Sequence, residues 1–134
     1  MKRLLTISLF FISIAVLFPA SALARTPTFV FKGKIAGKNV KVELYTDTDD
    51  YSKVHGSYYY YDNNGKKLSS VLTLKGDYED GRAMSLMELT ETYNGKYCGK
   101  WYIEVDHYDN PKKWEGTLTN SKGKKYKIML RQVN

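Results

Sequence analysis

Apolar and polar residues alternate along most of the chain after its first 24 residues. A period of two is the pattern of a β-strand that buries one face and exposes the other. Clusters of glycine, asparagine, aspartate and proline interrupt the alternation at short intervals, and these residues form turns. The pattern predicts eight strands, at about 29 to 35, 39 to 46, 53 to 61, 67 to 78, 83 to 90, 96 to 106, 113 to 119 and 124 to 132.

Glycines recur inside the apolar runs, at positions 33, 56, 76, 99 and 116. Glycine is unfavourable inside a strand, so its recurrence indicates strong strand coiling or close packing, as in a sheet that curls into a barrel. The short loops make each strand the antiparallel neighbour of the preceding one. The sequence therefore predicts an all-β fold, a single antiparallel up-and-down β-barrel of about eight strands that closes strand one against strand eight.

Two predicted hairpins allow the strand register to be assigned. Pairing across the turn at residues 62–65 places Tyr58 opposite Ser70, and pairing across the turn at 121–123 places Trp114 opposite Leu130. Both registers collect mainly apolar residues on one face, which we expect to point into the barrel.

The first 24 residues have the pattern of a signal peptide. Two basic residues precede an apolar stretch that ends at Phe18, and Ala22-Leu23-Ala24 supplies the small residues of a cleavage site. A membrane anchor is the alternative, but the apolar stretch is short for a span of about 20 residues and Pro19 interrupts it. We expect residues 1–24 to be a signal peptide and residues 25–134 to form a periplasmic or secreted domain without a transmembrane segment.

Charge and cysteine content limit the class of protein further. The chain has 21 basic and 14 acidic residues, a net charge of +7, of which the predicted leader carries two basic residues, leaving +5. The only cysteine is Cys98, so no internal disulfide can form. Burial of apolar side chains and the hydrogen bonds of the sheet must therefore stabilise this domain.

Several segments resemble a class of small bacterial exported domains, some of them attached to lysozyme-inhibitor-like modules. The segments are Gly56-Ser57-Tyr58-Tyr59-Tyr60, Leu-x-Leu-x-Gly at 72 to 76, Leu-x-Glu at 86 to 88 and Gly99-x-Trp101. The architecture is also similar to lipocalin-type and avidin-type barrels. The resemblance implies a non-catalytic binding barrel, but it implies no particular ligand, because no biotin-site or lipocalin motif is matched.

Motifs of catalysis and metal binding are scarce. The chain lacks His-Glu-x-x-His, Gly-x-Ser-x-Gly, Cys-x-x-Cys and a phosphate-binding glycine loop. His55 and His107 have no third partner for a metal, and the acidic turn at 47–50 lacks the glycine and glutamate of an EF-hand loop. We expect no enzymatic activity, no cofactor and no metal, and no nucleic acid as partner of an exported protein without a known stacking motif.

The inward positions of the predicted barrel provide the candidate ligand site. The candidate ligand-binding residues are Tyr58, Tyr60, Glu88, Trp101 and Trp114. Glu88 points inward if Met84 and Leu86 do, but Ala83, Ser85, Met87 and Leu89 form an alternative apolar face of almost equal quality.

The outward positions provide a second candidate surface for a protein or an anion, made of Tyr59, Tyr61, Lys125, Lys127 and Arg131. If the barrel closes, Lys32 and Lys34 lie beside these basic residues and a basic stripe follows the seam. The stripe either protects an imperfectly closed edge or binds a lipid head group, an acidic glycan or an acidic protein.

Cys98 is predicted to lie on the outer face. If Trp101 belongs to the core, alternation places Tyr97 and Gly99 inward with it and leaves Cys98 outside. A nearby lysine would favour the reactive thiolate, and in an oxidising compartment such a thiol can form a disulfide-linked dimer. The alternative is a buried, inert cysteine, which is common for this residue type.

These features predict an exported, non-catalytic binding protein that holds a small ligand in a β-barrel. The alternative is a protein-binding module, such as an inhibitor of a cell-wall hydrolase or an immunity protein against an envelope toxin. An open, aromatic-lined mouth favours the first hypothesis, since barrels of about eight strands can hold one small ligand, and a filled interior favours the second.

Overall fold

The computed structural model describes residues 25–134, which form eight β-strands and no helix. The predicted signal peptide, residues 1–24, lies outside the described residues. In residues 25–134 no helix is long and apolar enough to span a membrane. The strands are β1 (Phe29–Ile35), β2 (Lys38–Thr46), β3 (Lys53–Tyr60), β4 (Leu72–Glu79), β5 (Met84–Tyr93), β6 (Lys96–Asp106), β7 (Lys113–Asn120) and β8 (Lys125–Gln132).

The strands form a closed antiparallel up-and-down barrel in chain order. Each strand pairs with the next one, and β8 returns to pair with β1, from Phe31 opposite Gln132 to Ile35 opposite Ile128. This closure was predicted, and it leaves no free edge in the sheet. The turns β1–β2, β3–β4, β5–β6 and β7–β8 therefore share one end of the barrel, which we call the mouth end.

The interior of the barrel is filled by side chains. Large residues with less than 2% exposure meet there, among them Trp101, Trp114, Tyr58 and Phe31. Rings of Phe29, Phe31 and Trp114 pack against one another with centroid distances of 5.5 to 5.9 Å. The centre is thus a packed core and not an open cavity.

The inward glycines allow neighbouring strands to approach closely. A Cβ atom on Gly56 would overlap with the carbonyl oxygen of Glu43, and one on Gly116 would overlap with that of Tyr102. Both glycines lie on inward positions of their strands, because the residues two positions away on either side are buried. The predicted role of the recurring glycines is confirmed at these two positions.

The predicted register is confirmed for one hairpin and wrong for the other. Trp114 lies opposite Leu130 as predicted, but Tyr58 lies opposite Leu72 and not opposite Ser70. Near the turn the predicted pairing holds, because Tyr61 bridges Lys67. Residues 69–71 then leave the ladder, and the Ser69 hydroxyl accepts the Tyr60 N–H at 2.9 Å, so β4 begins at Leu72 and not at 67.

The inward placement of Glu88 is also wrong. The buried face of β5 consists of Ser85, Met87, Leu89 and Glu91, whereas Glu88 is exposed. This is the alternative apolar face, and it extends to Glu91 because β5 continues to Tyr93, three residues beyond the predicted end at 90. Met87 and Leu89 are buried in the core, whereas Met84 is 44% exposed, because burying the first two side chains removes more apolar surface from water than burying Met84 would.

A β-bulge at Cys98 overturns the inward placement of Tyr97. Glu91 pairs with Gly99, but Thr92 pairs with Tyr97, so Cys98 is the extra residue. Tyr97 is 51% exposed as a result. Cys98 is a free, half-buried cysteine whose Sγ donates to the carbonyl oxygen of Lys96 at 3.5 Å.

Candidate functional site

A cleft of about 700 Å³ opens at the mouth end of the barrel. Its floor and sides include the apolar side chains of Ile35, Leu118 and Leu68. The half-buried rings of Tyr60 and Tyr126 also line it. Lys124 places its Nζ 5.4 Å from the centroid of the Tyr126 ring, so this ring already faces one cation of the chain.

A buried carboxyl group lies near this cleft. Glu91, on β5 close to the mouth-end turn, is only 6% exposed. Its Oε1 accepts a hydrogen bond from the Tyr58 hydroxyl at 2.7 Å and another from the Trp101 Nε1 at 2.9 Å. The rings of these two donors pack edge to face at 4.9 Å, which holds both donors in place.

Tyr60 connects the cleft to this carboxyl group. Its ring lines the cleft and packs edge to face on the Tyr58 ring at 5.6 Å. Burial raises the pKa of Tyr60, and the Glu91 carboxyl and Tyr126 raise it as well, while Tyr58 acts in the opposite direction. Tyr60 therefore lines the cleft and also contacts Tyr58, which donates to Glu91, while Tyr58 and Glu91 themselves lie behind the cleft lining.

Glu91 has no cationic partner among the described residues, because its hydrogen bonds come from a phenol and an indole and it belongs to no ion pair. Both hydrogen bonds end on Oε1. No described residue donates a hydrogen bond to Oε2. A carboxyl group that is nearly buried without a cation, and whose second oxygen has no donor among the described residues, is suited to accept a donor from a ligand.

The predicted ligand residues separate into two groups. Tyr58, Tyr60 and Trp101 come together at the mouth end around Glu91. Trp114 lies toward the other end, where it packs on Phe29 and Phe31 and its Nε1 donates to the Gln132 Oε1 at 3.3 Å. Glu88 is on the outer surface and cannot line the interior.

Glu91 is not among the residues that the sequence predicted for the site, although its position follows from the pattern of β5. The alternation of Ser85, Met87 and Leu89 reaches Glu91 with a period of two, and this signal identifies Glu91 as inward once the face is assigned.

Ser85 and His107 form a separate contact at the end opposite the mouth. The Ser85 Oγ lies 2.7 Å from the His107 Nε2 and 3.0 Å from the Asp80 Oδ1. If the hydroxyl donates to Asp80, the His107 Nε2 must carry a proton and cannot act as a base toward Ser85. Ser85 is 0% exposed, so this cluster stabilises the β4–β5 turn and offers no nucleophile to a substrate.

The acidic turn and His55 also form structural contacts. The His55 Nδ1 lies 3.1 Å from the Asp47 Oδ1, and Asp50 accepts hydrogen bonds from Ser52. Across residues 25–134, no group of three or more histidine, cysteine or acidic residues is arranged to hold a metal ion.

The outer candidate residues lie where alternation places them. Tyr59 and Tyr61 are half-buried on the outer face with ring centroids 6.4 Å apart, and the Lys67 Nζ lies 5.1 Å from the Tyr59 centroid. Lys125, Lys127 and Arg131 are exposed on β8.

Comparisons of the chain with protein-family models, curated proteins and solved structures found no match. The resemblance to small exported barrel domains therefore stays a prediction.

Proposed function

We propose that the protein is an exported, non-catalytic binding protein that holds a small cationic ligand at the mouth of its barrel. The observation that carries this proposal is Glu91, a carboxyl group that is 6% exposed and bonded only by neutral donors. Buried charges are normally paired, since an isolated one is costly. An ammonium or guanidinium group of a ligand would supply the missing opposite charge.

The packed core limits the size and place of such a ligand. Tyr58 and Trp101 are each 1% exposed, so they support the carboxyl group from behind and leave no room for a ligand at the barrel centre. The cleft of about 700 Å³ is the available volume. We therefore expect a small ligand that enters from the mouth end and does not pass through the barrel.

The aromatic lining of the cleft suits the same ligand chemistry. Tyr60 presents its ring to the cleft, and aromatic faces attract cations by about 0.5–2 kcal/mol, whereas the Tyr126 ring already faces Lys124. The apolar side chains of Leu118 and Ile35 can pack against the hydrocarbon part of an amine. The ligand class is thus an organic amine, guanidine or quaternary ammonium compound.

Titration of the protein with small cations, followed by the two indole N–H resonances in a ¹H–¹⁵N NMR spectrum, tests the proposal. Suitable probes are butylammonium, guanidinium and tetramethylammonium chloride, with sodium butyrate as the anionic control. The Trp101 resonance reports on Glu91, and the Trp114 resonance, bonded to Gln132 at the other end, is an internal reference. We expect a saturable shift of the Trp101 resonance with at least one cation, and none with butyrate.

Glu91→Gln removes the charge and retains an oxygen that can accept from Tyr58 and Trp101. We expect a folded Glu91→Gln protein to bind the cation about tenfold more weakly or worse, a loss of about 1.4 kcal/mol. Glu88→Gln makes the same chemical change on the exposed face of the same strand and should leave the affinity unchanged. Equal affinities of the Glu91→Gln variant and the parent protein would contradict the proposal.

The filled core also supports the alternative, a protein-binding module such as a hydrolase inhibitor or an immunity protein. The outer face of the barrel, where Tyr59 and Tyr61 lie, would then contact the partner protein. This alternative predicts a single envelope protein captured by the tagged parent protein and lost on Tyr59→Ala, with no effect of Glu91→Gln.

A further inference from the structure

Four basic side chains form one row across the seam of the barrel. Lys41 on β2 lies opposite Lys32 on β1, Lys32 lies opposite Arg131 on β8, and Arg131 lies opposite Lys113 on β7. All four point outward, because the residues that alternate with them are buried. Neighbouring strands are about 4.8 Å apart, so the row is about 14 Å long. We call it the seam row.

Protection of a sheet edge does not explain the seam row. That explanation requires an imperfectly closed edge, and β1 and β8 pair through five consecutive positions. A closed barrel has no strand edge that lysines need to defend.

The seam row is unfavourable for the isolated protein. Like charges directly opposite each other on neighbouring strands destabilise a sheet, and the row contains three such pairs. Lys113 is paired with Glu115 at 3.0 Å, but among the described residues Lys32, Lys41 and Arg131 form no ion pair. Glu43 is the same-face neighbour of Lys41 along β2, and it makes no ion pair with it. The structure thus holds three concentrated positive charges without compensation.

A shallow groove follows the same surface. It has a volume of about 410 Å³ and is lined by three residues of the seam row, Lys32, Arg131 and Lys113. Lys34, Asn39 and Tyr61 add further hydrogen-bond donors along the groove. The charges and donors of the surface are therefore arranged along a line.

We propose that the seam row binds a linear polyanion, a flexible chain that carries repeated phosphate or carboxylate groups. The row crosses four of the eight strands, so the side chains at its two ends leave the barrel in different directions. A flat bilayer cannot meet all four charges on such a convex surface, whereas a flexible chain can follow it. Because the sequence predicts export, the polymer belongs to an anionic glycan or phosphate polymer outside the cytoplasm.

Fluorescence anisotropy with labelled inorganic polyphosphate and labelled polygalacturonate tests the proposal and separates the phosphate source from the carboxylate source. The test variant combines Lys32→Gln, Lys41→Gln and Arg131→Gln. The control variant combines Lys75→Gln, Lys100→Gln and Lys122→Gln, which removes the same charge from exposed positions away from the seam row. We expect the parent protein to bind at least one polymer, the test variant to bind about tenfold more weakly or worse, and the control variant to stay within about twofold of the parent.

Thermal melting provides a second readout that does not need a polymer. If the seam row is self-repulsive, the test variant should melt above the temperature of the parent protein in low salt, and high salt should remove the difference. Equal loss of affinity in the two variants would overturn the proposal, because net charge alone would then explain binding. Stronger binding to anionic phospholipid vesicles than to both polymers would also overturn it.

Discussion

The hydrogen bond between Tyr58 and Glu91 provides a sharp test of how the interior is stabilised. Tyr58→Phe removes the hydroxyl that donates to the Glu91 Oε1 at 2.7 Å and leaves the ring in place. The ring keeps its contacts with Tyr60 and Trp101 at 5.6 and 4.9 Å, so no cavity beyond the oxygen atom forms. Hydrogen bonds to charged groups contribute about 1.5–3 kcal/mol. We expect the free energy of unfolding to fall by about that amount at pH 7.

The same substitution changes the response to alkaline pH. Burial raises the pKa of Tyr58 above its ordinary value of 10.0, and the hydrogen bond to Glu91 and its charge raise it further. The folded protein therefore keeps the Tyr58 proton at a pH where the unfolded chain has lost it. Stability is full below about pH 10 and falls above it, by at most about 1.4 kcal/mol per pH unit for one group. Tyr58→Phe should remove the contribution of this group to the loss of stability at alkaline pH.

Urea denaturation followed by tryptophan fluorescence measures both effects, at pH 7 and at steps between pH 9 and pH 11. Tyr59→Phe is the matched control, because the same hydroxyl is removed from the neighbouring outward position and should change the stability by less than about 0.5 kcal/mol. Tyr60 and Tyr78 also have pKa values raised mainly by burial, so some alkaline loss should remain in every variant. If Tyr58→Phe costs no more than Tyr59→Phe, the hydrogen bond does not stabilise the fold.

Two further predictions concern residues singled out in the sequence. Trp114→Ala should cost about 3–5 kcal/mol in urea denaturation, because it empties a core position that is 1% exposed, and a loss below about 1 kcal/mol would contradict its place in the core. Cys98 should react with a maleimide in the native protein, since its thiol is half-buried at a bulge and makes only a weak hydrogen bond. Protection that ends only in denaturant, with no disulfide to explain it, would show that the thiol is inaccessible.

The strand pattern was predictable where alternation and turn chemistry agree. The β7–β8 hairpin has a short turn closed by Gly123 at a φ of +84°, and its register follows directly from the alternation of Trp114, Leu118 and Leu130. The β3–β4 hairpin fails this rule because residues 69–71 leave the ladder. Alternation cannot detect such an insertion of two positions, since a shift by two keeps every side chain on the same face.

The candidate site was predictable only in part for a related reason. Tyr58, Tyr60 and Trp101 belong to strands whose apolar face is unambiguous, and they point inward as predicted. Both faces of β5 are apolar at several positions, so its sequence alone does not decide whether Glu88 or Glu91 points inward. That choice depends on how β5 packs against the other strands. The predicted strand also ended at residue 90, so Glu91 lay outside it, whereas β5 extends to Tyr93.

Salt concentration should separate the two proposed sites, because they differ in burial. The seam row is exposed, and charges on a surface are screened over about 8–10 Å at physiological ionic strength, so polymer binding should weaken steeply as salt rises. Glu91 is 6% exposed, and buried pairs are screened much less, so binding of an amine at the mouth should persist. Asp77 and Glu88 form exposed acidic positions on neighbouring strands, and these could attract a cation without any site. Amine binding that disappears in parallel with polymer binding would therefore point to such surface acids and not to Glu91.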